Sequence, residues 1–239
     1  MSIFTNIFLI IFTFVLSLGT KLLDFFVFLV ILGTNFPNNL AITPLYKKSY
    51  NNIAKERRDN MKNLHKIQTC ITHSGRFHTD DVISTAFIKT FNPLVNVIRV
   101  PEFEGEGKDN ELVYDIGFGK YDHHQENRLL NKCNIPYSAF GLLWEDYGRD
   151  YLANCGIKNV EYAFEEFKKI YVSKIDLGDN LGYKQLKDFK ENDLIIKCNP
   201  LWFEECLENN QFEKAVSLAL ILLKNWTRNI KIKADFMSV

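Results

Sequence analysis

Histidine and aspartate residues gather in two short stretches of the sequence. Four of the five histidines fall in these stretches, which read His73-Ser-Gly-Arg-Phe-His78-Thr-Asp80-Asp81 and Tyr121-Asp122-His123-His124-Gln125. Imidazole nitrogens and carboxylate oxygens, without cysteine, form a ligand set that suits Mn²⁺ or Mg²⁺ better than structural zinc. The sequence therefore predicts a divalent-metal site, for which hydrolysis is the natural chemistry.

The predicted strands decide whether these side chains can meet. The β-prone run from Ile67 to Thr72 predicts a buried strand that delivers His73 to a loop, where Gly75 permits a turn. The run from Leu112 to Ile116 predicts a strand that carries Asp115. Open α/β sheets bind ligands at the carboxyl ends of their strands, so we expect Asp115 to lie beside His73. Each residue alone is more often structural than ligating, and only their joint occurrence favours a metal site.

The periodicity of the chain predicts an α/β fold with a mostly parallel sheet flanked by helices. A helix from Val82 to Phe91 follows the first strand and ends before Asn92-Pro93, and Asn96 to Val100 is again β-prone. Strand, helix and two further strands in this order indicate the α/β class. Later helical segments are predicted at Tyr137 to Tyr147, closed by Gly148, at Val160 to Ile175, and along the stripe Phe212, Ala215, Val216, Ala219 and Leu222.

The composition narrows the classes of function. Of the 239 residues, 46% are hydrophobic, which can fill a real core, and 29 basic residues balance 29 acidic ones. A net charge of zero does not indicate a nucleic-acid partner, so any such binding must be local. The five cysteines are odd in number and contain no Cys-x-x-Cys pair, which indicates neither a disulfide framework nor a zinc ribbon.

Residues 1–60 are predicted to form a leader that is separate from the globular domain at residues 61–239. Residues 3–32 are almost wholly apolar, which is long enough for a hydrophobic transmembrane helix or signal anchor. Lysines and arginines between residues 47 and 58 would then place the domain on the cytoplasmic side of the membrane. The alternative is a true start at Met61, which predicts a soluble protein of the cytoplasm or, in a eukaryote, of an organelle.

Five motifs together resemble those of the melanocyte proliferating gene family, a branch of the DHH phosphoesterases. They are the two stretches above, Tyr114-Asp115-Ile-Gly117, Ser138-Ala-Phe-Gly141-Leu-Leu-Trp144 and Ile175-Asp176-Leu-Gly-Asp179-Asn180. The resemblance covers residues 67–236. It implies a DHH-phosphoesterase-like N-terminal domain and a metal-dependent 3′-to-5′ RNA exonuclease.

The resemblance also implies roles for single residues, around two Mn²⁺ or Mg²⁺ ions. The implied metal ligands are His73, His78, Asp80, Asp115, His123 and Asp176. The implied catalytic residues are Asp115, as the carboxylate between the ions, His123, and His124, as a phosphate contact. The residues implied to support the ligands are Asp81, Asp122, Asp179 and Asn180.

Two departures from the family pattern keep other functions open. Asp81 stands where the family has Glu, and family members continue into a second domain that closes over the substrate, whereas this chain stops at Val239. The expected substrate is RNA or a small phosphodiester. The alternatives are a small-molecule phosphatase or pyrophosphatase, a truncated remnant that binds metal without turnover, and a membrane-anchored interaction protein. The oligomeric state is left open.

Overall fold

The structure, a computed structural model, describes residues 63–126, 128–182, 189–201 and 208–237. The chain divides into two compact units, Met1–Asp59 and Asn60–Val239, and every described residue belongs to the second. The hydrophobic helix predicted at residues 3–32 lies outside the described residues. No helix among those described combines the length and the apolar character needed to cross a membrane.

The described sheet has three parallel strands in the order β2-β1-β3. These are β1 (Thr69–His73), β2 (Asn96–Val100) and β3 (Glu111–Val113), and the single turn of 3₁₀ helix at Leu64–Lys66 precedes them. The predicted α/β class with a parallel sheet flanked by helices is confirmed. The third strand is shorter than predicted, because Asp115 has a φ of 57° and so leaves the extended conformation.

Helix α1 (Thr79–Phe91) connects β1 to β2 and is buried along most of its length. It ends before Asn92-Pro93 as predicted, and the Asn92 side chain donates a hydrogen bond to the backbone carbonyl of Ile67 at 2.8 Å. Its first turn carries Asp80 and Asp81, which the positive end of the helix dipole stabilises. These two acids are therefore fixed at the carboxyl end of the sheet.

Helix α2 (Ala139–Asn154) extends well beyond its predicted end at Gly148. A Cβ atom at Gly148 would lie 2.8 Å from two indole atoms of Trp144 and 3.0 Å from the ring of Phe164. The glycine therefore does not end the helix. It lets α3 (Val160–Phe167) pack closely, with Trp144 stacked on Phe167 at a centroid distance of 4.1 Å.

The segment predicted as one helix from Val160 to Ile175 continues further and changes its winding. Helix α3 passes into a π-helical stretch at Lys168–Val172, and α4 (Ser173–Leu181) follows directly. Helices α5 (Lys190–Ile196) and α6 (Glu208–Phe236) complete the described order. The core face predicted for α6 is confirmed from Phe212 to Ala219, after which Leu223, not Leu222, is buried.

Replacing Gly148 by alanine is expected to lower the free energy of unfolding by about 1–3 kcal/mol, the usual cost of overpacking a core. This cost outweighs the gain of roughly 1 kcal/mol in helix propensity. Urea denaturation followed by circular dichroism measures the change. The exposed Asp150→Ala variant of the same helix is the control, expected within about 0.5 kcal/mol of wild type. A more stable Gly148→Ala protein would contradict the packing role.

Candidate metal centre

Three groups of histidine and aspartate side chains lie at the carboxyl edge of the sheet. In each group the candidate ligand atoms lie within 4.8 Å of one another. The groups are His73 with Asp81 and Asp115, Asp115 with His123 and His124, and His78 with Asp80 and Asp179. Asp115 belongs to two of them, so its carboxylate joins residues that come from different parts of the chain.

The loop after β3 positions Asp115. Asp115 has a left-handed backbone conformation, with a φ of 57°, which aspartate adopts more readily than most residues. The Asp115 N–H donates to the carbonyl of Tyr121 at 3.0 Å, and Gly117 adopts a φ of 91° between them. The chain therefore doubles back after Asp115 and brings His123 alongside it.

Each oxygen of the Asp115 carboxylate faces a different histidine. His123 Nε2 lies 2.9 Å from Oδ1, and His73 Nε2 lies 3.2 Å from Oδ2. Burial alone would raise the pKa of Asp115, but these two imidazoles hold it well below its usual range. The carboxylate is thus ionised and shared by two histidines.

His73 has a second acidic neighbour in Asp81. Its Nε2 lies 3.2 Å from Asp81 Oδ2, while its Nδ1 lies 3.0 Å from the carbonyl of Ser74. Burial alone would lower the pKa of His73, but the Asp115 and Asp81 carboxylates raise it to about 11. The other Asp81 oxygen accepts hydrogen bonds from the backbone N–H groups of His78 and Val82. Asp81, predicted as a supporting residue, therefore contacts His73 directly.

His123 lies close to acidic side chains from two helices. His123 Nε2 lies 3.2 Å from Asp179 Oδ2 on α4 and 3.8 Å from Asp80 Oδ2 on α1. Burial and the negative charges of Asp115 and Asp179 raise the pKa of Asp80 well above its usual range. Burial alone would lower the pKa of His123, but Asp115 and Asp179 raise it. The exposed His78 lies beside Asp80 and Asp179.

The centre contains buried carboxylate oxygens that have no hydrogen-bond partner among the described residues. They are both oxygens of Asp80, both of Asp115, and one each of Asp81 and Asp179, and those of Asp115, Asp81 and Asp179 have the imidazoles described above as their close neighbours. Burying carboxylates is costly unless cations or hydrogen bonds compensate. The distances of 2.9 and 3.2 Å from His123 Nε2 to Asp115 and Asp179 also fit an ion whose ligands lie at about 2.1 Å, because adjacent ligands of an octahedron are then roughly 3 Å apart. The donor set and the geometry both fit divalent cations.

His124 lies beside the buried centre and is half exposed. Its Nδ1 lies 2.7 Å from Asp122 Oδ1 and 4.0 Å from Asp115 Oδ1. Burial would raise the pKa of Asp122, but His124 and two backbone N–H groups lower it, so the carboxylate stays charged. Asp122 therefore orients the His124 ring while leaving it accessible to solvent.

Asp176 lies in a different environment from Asp179, which is one helical turn away. Its carboxylate accepts hydrogen bonds from Ser138 N–H at 3.0 Å, from Ser138 Oγ at 2.8 Å and from Asn131 Nδ2 at 3.3 Å. Burial raises its pKa to about 6, although these hydrogen bonds oppose the shift. Asn180 donates to the carbonyls of Pro136 and Asp176. Asp176 thus anchors the start of α2, and the three groups contain Asp179 in its place.

A long-range contact that the sequence did not reveal holds the loop between His73 and His78. Gly75 N–H donates to Glu208 Oε1 at 2.7 Å, and Arg99 donates to the carbonyl of Gly75 at 2.8 Å while pairing with Glu208. Glu208 lies 133 residues from Gly75 along the chain. No local pattern of residue types could have indicated a contact at that separation.

Comparisons with known proteins agree with the motifs. The family model MYG1_exonuc, described as "Uncharacterised protein family (UPF0160)", matches residues 69–235. The MYG1 protein of Dictyostelium discoideum is 26% identical over 174 residues, which cover 63% of this chain and 53% of that protein. The chain thus spans about half the length of the curated relative it matches. No solved structure gives a significant match.

The match to the family model includes every residue of the three groups, from His73 to Asp179. It also extends over more than half of the chain. The resemblance predicted from the motifs is confirmed, and the chain belongs to the MYG1_exonuc family.

Proposed function

We propose that this protein is a metal-dependent phosphodiesterase that acts on RNA as a 3′-to-5′ exonuclease, on a DHH-phosphoesterase-like domain. The observation that carries the proposal is the position of Asp115, whose two oxygens face histidines of two adjoining groups. A carboxylate whose two oxygens face adjoining groups of candidate ligands is suited to a two-metal hydrolytic site. The name of the family model supports a nuclease. The choice of RNA rests on the resemblance of the motifs.

We assign two Mn²⁺ or Mg²⁺ ions to the centre, because carboxylates and imidazoles are suitable ligands for both. One set of ligands is His73, Asp81 and Asp115. The other consists of Asp80, Asp115, His123 and Asp179, with His78 at its border. Asp179 takes the role that the motifs had implied for Asp176.

Two divalent ions held by these residues would supply an activated water and would neutralise the charge of the phosphoryl oxygens. The chain itself contributes the rigid placement of the ligands and an oriented imidazole. His124 stands at the exposed side of Asp115, and the ionised Asp122 fixes its ring through Nδ1. We assign His124 to bind a phosphate oxygen, because an accessible ring nitrogen beside the metal ligands can donate a hydrogen bond there.

A small phosphoester is the second candidate substrate. In the part of the chain that the structure describes, the acids of the three groups make their ion pairs with histidines, and none of these pairs involves lysine or arginine. Proteins that hold a long nucleic acid strand neutralise several of its phosphates with basic side chains. The sequence also has no cluster of lysine and arginine near the motifs, since Arg76 and Arg128 stand singly, and this favours a short substrate or the end of a chain.

Asp179 and Asp176 provide a matched test of the ligand assignment. Asp179→Asn is expected to weaken Mn²⁺ binding to the full chain by about 100-fold or more, since losing even an outer partner of a metal ligand commonly costs 10- to 100-fold. Asp176→Asn is expected to leave the affinity close to that of wild type, because its hydrogen bonds go to Ser138 and Asn131. Titration calorimetry at neutral pH measures both.

The reverse ranking of these two variants would restore Asp176 as the ligand and reject Asp179. Absence of Mn²⁺ and Mg²⁺ binding in the wild-type chain would reject the metal centre altogether. Circular dichroism of both variants shows whether a change in affinity accompanies a loss of fold.

Exonuclease activity is expected to depend on the metal and on both adjacent histidines. With Mn²⁺, RNA labelled at its 5′ end should give a ladder of products shortened from the 3′ end, and chelation should stop the reaction. The double variant His123→Ala, His124→Ala should be at least about 100-fold slower, because it loses a ligand and a phosphate contact. Hydrolysis of bis-p-nitrophenyl phosphate without any action on RNA would instead favour the small phosphoester.

A further inference from the structure

Phe118 combines exposure with a backbone conformation that is rare for an aromatic residue. Its side chain is 67% exposed, and its φ is 57°, in the left-handed region. A bulky residue in this region is a genuine outlier, and such strain persists only where the surroundings enforce it. Neither burial nor a turn preference accounts for phenylalanine at this position, where glycine or asparagine would fit more easily.

The Asp122 to Gln125 stretch enforces this conformation. The N–H of Phe118 donates to Asp122 Oδ2 at 2.7 Å, and its carbonyl accepts from Gln125 Nε2 at 2.8 Å. Gln125 also donates to the carbonyl of Gly119, and the N–H of Gly105 donates to the carbonyl of Gly117 at 2.9 Å. The polar backbone groups of Phe118 are therefore both occupied, and its exposed ring does not cover the core.

The same contacts place Phe118 next to the candidate metal centre. The Asp122 carboxylate receives Phe118 N–H on one oxygen and lies 2.7 Å from His124 Nδ1 with the other. One carboxylate and two hydrogen bonds span at most about 8 Å, so the Phe118 backbone is within that distance of the His124 ring. In a nucleotide the base and its own phosphate are a comparable distance apart, so a phosphate at His124 would leave its base close to Phe118.

We propose that Phe118 forms a base-binding subsite, on which the nucleobase next to the scissile phosphate stacks while that phosphate meets His124 and the metal ligands. The proposal rests on the proposed function and narrows it to substrates that carry a base at the reacting end. Stacking accepts every base, because each has a π-face, so the subsite predicts little sequence preference. The strain and exposure at Phe118 then have a function, since the backbone that carries the ring is already held in place and loses little entropy when a base binds.

Binding of two phosphate monoesters tests the subsite without requiring turnover. Titration calorimetry of the full chain with Mn²⁺ compares adenosine 5′-monophosphate with ribose 5-phosphate, which lacks the base. Wild type is expected to bind the nucleotide at least about tenfold more tightly, which is within the range for stacking on one aromatic side chain. Phe118→Asn should abolish this preference and Phe118→Trp should retain it.

The variants separate stacking from a loss of fold. Asparagine tolerates a positive φ, so Phe118→Asn is expected to melt at or above the temperature of wild type. Leu129→Ala removes another exposed apolar side chain, 60% exposed in wild type, and should leave the preference intact.

Each other outcome has a definite meaning. A chain that binds no Mn²⁺ would reject the proposed function, and the subsite with it. Mn²⁺ binding with no preference for the nucleotide, or without binding of either monoester, would overturn the subsite while leaving the metal centre in place. A preference that persists in Phe118→Asn, or that is also lost in Leu129→Ala, would overturn the role of Phe118.

Discussion

The centre depends on the contact of one buried carboxylate, that of Asp115, with two histidines. Its position follows from the sheet, because Ile71 of β1 pairs with Val113 of β3, and His73 and Asp115 each stand two residues beyond that pair. The strands are parallel neighbours, so both side chains arrive at the same edge. His123 reaches the opposite oxygen because the left-handed turn at Asp115 reverses the chain. A register shift of one residue between β1 and β3 would separate the two ligand sets.

Negative charge is concentrated around Asp115, and burying so many carboxylates together costs this domain free energy of folding. Asp80, Asp81 and Asp115 are buried next to one another, and Asp179 adds a fourth carboxylate. The dipole of α1 and the two imidazoles offset part of the repulsion, yet several oxygens keep no hydrogen-bond partner among the described residues. Divalent cations would neutralise the remainder, so we infer that metal binding and the stability of the domain are coupled.

The sequence predicted the parts of this arrangement that depend on short-range pattern. The β-prone run before His73, the helical periodicity that stops at Asn92-Pro93 and the order of these elements predict the first strand, its helix and the α/β class, and the structure confirms all three. Gly148 does not end its helix as the sequence predicts, because it admits the rings of Trp144 and Phe164, and such packing leaves no trace in local propensity.

Helix α4 shows a second limit of pattern reasoning. The π-helical stretch at Lys168–Val172 widens the turn, so a period of 3.6 residues carried on from α3 no longer gives the correct face. Val172 is buried, whereas Tyr171, which continues the helical spacing of Phe164 and Phe167, is only partly buried. The π-helical stretch changes which side of α4 faces the metal centre, and so affects whether Asp176 or Asp179 reaches it. Ser138 also matters, because its backbone N–H and hydroxyl group already bind Asp176. The family motifs implied Asp176 as a ligand and Asp179 as a supporting residue, whereas in the folded packing Asp179 belongs to the three groups and Asp176 does not.

The contact of Glu208 with Gly75 extends this dependence to the last described helix. Glu208 is the first residue of α6, and it holds both the loop that carries His73 and His78 and the guanidinium of Arg99. Arg99 in turn lies over the ring of Phe212, 4.3 Å from its centroid. The apolar face of α6 and the polar contacts of Glu208 are therefore fixed together. Helix α6 also packs along α1, whose first turn carries Asp80 and Asp81. The candidate ligands before and at the start of α1 are therefore held in place by a helix more than a hundred residues away, so the geometry of the centre depends on the packing of α6.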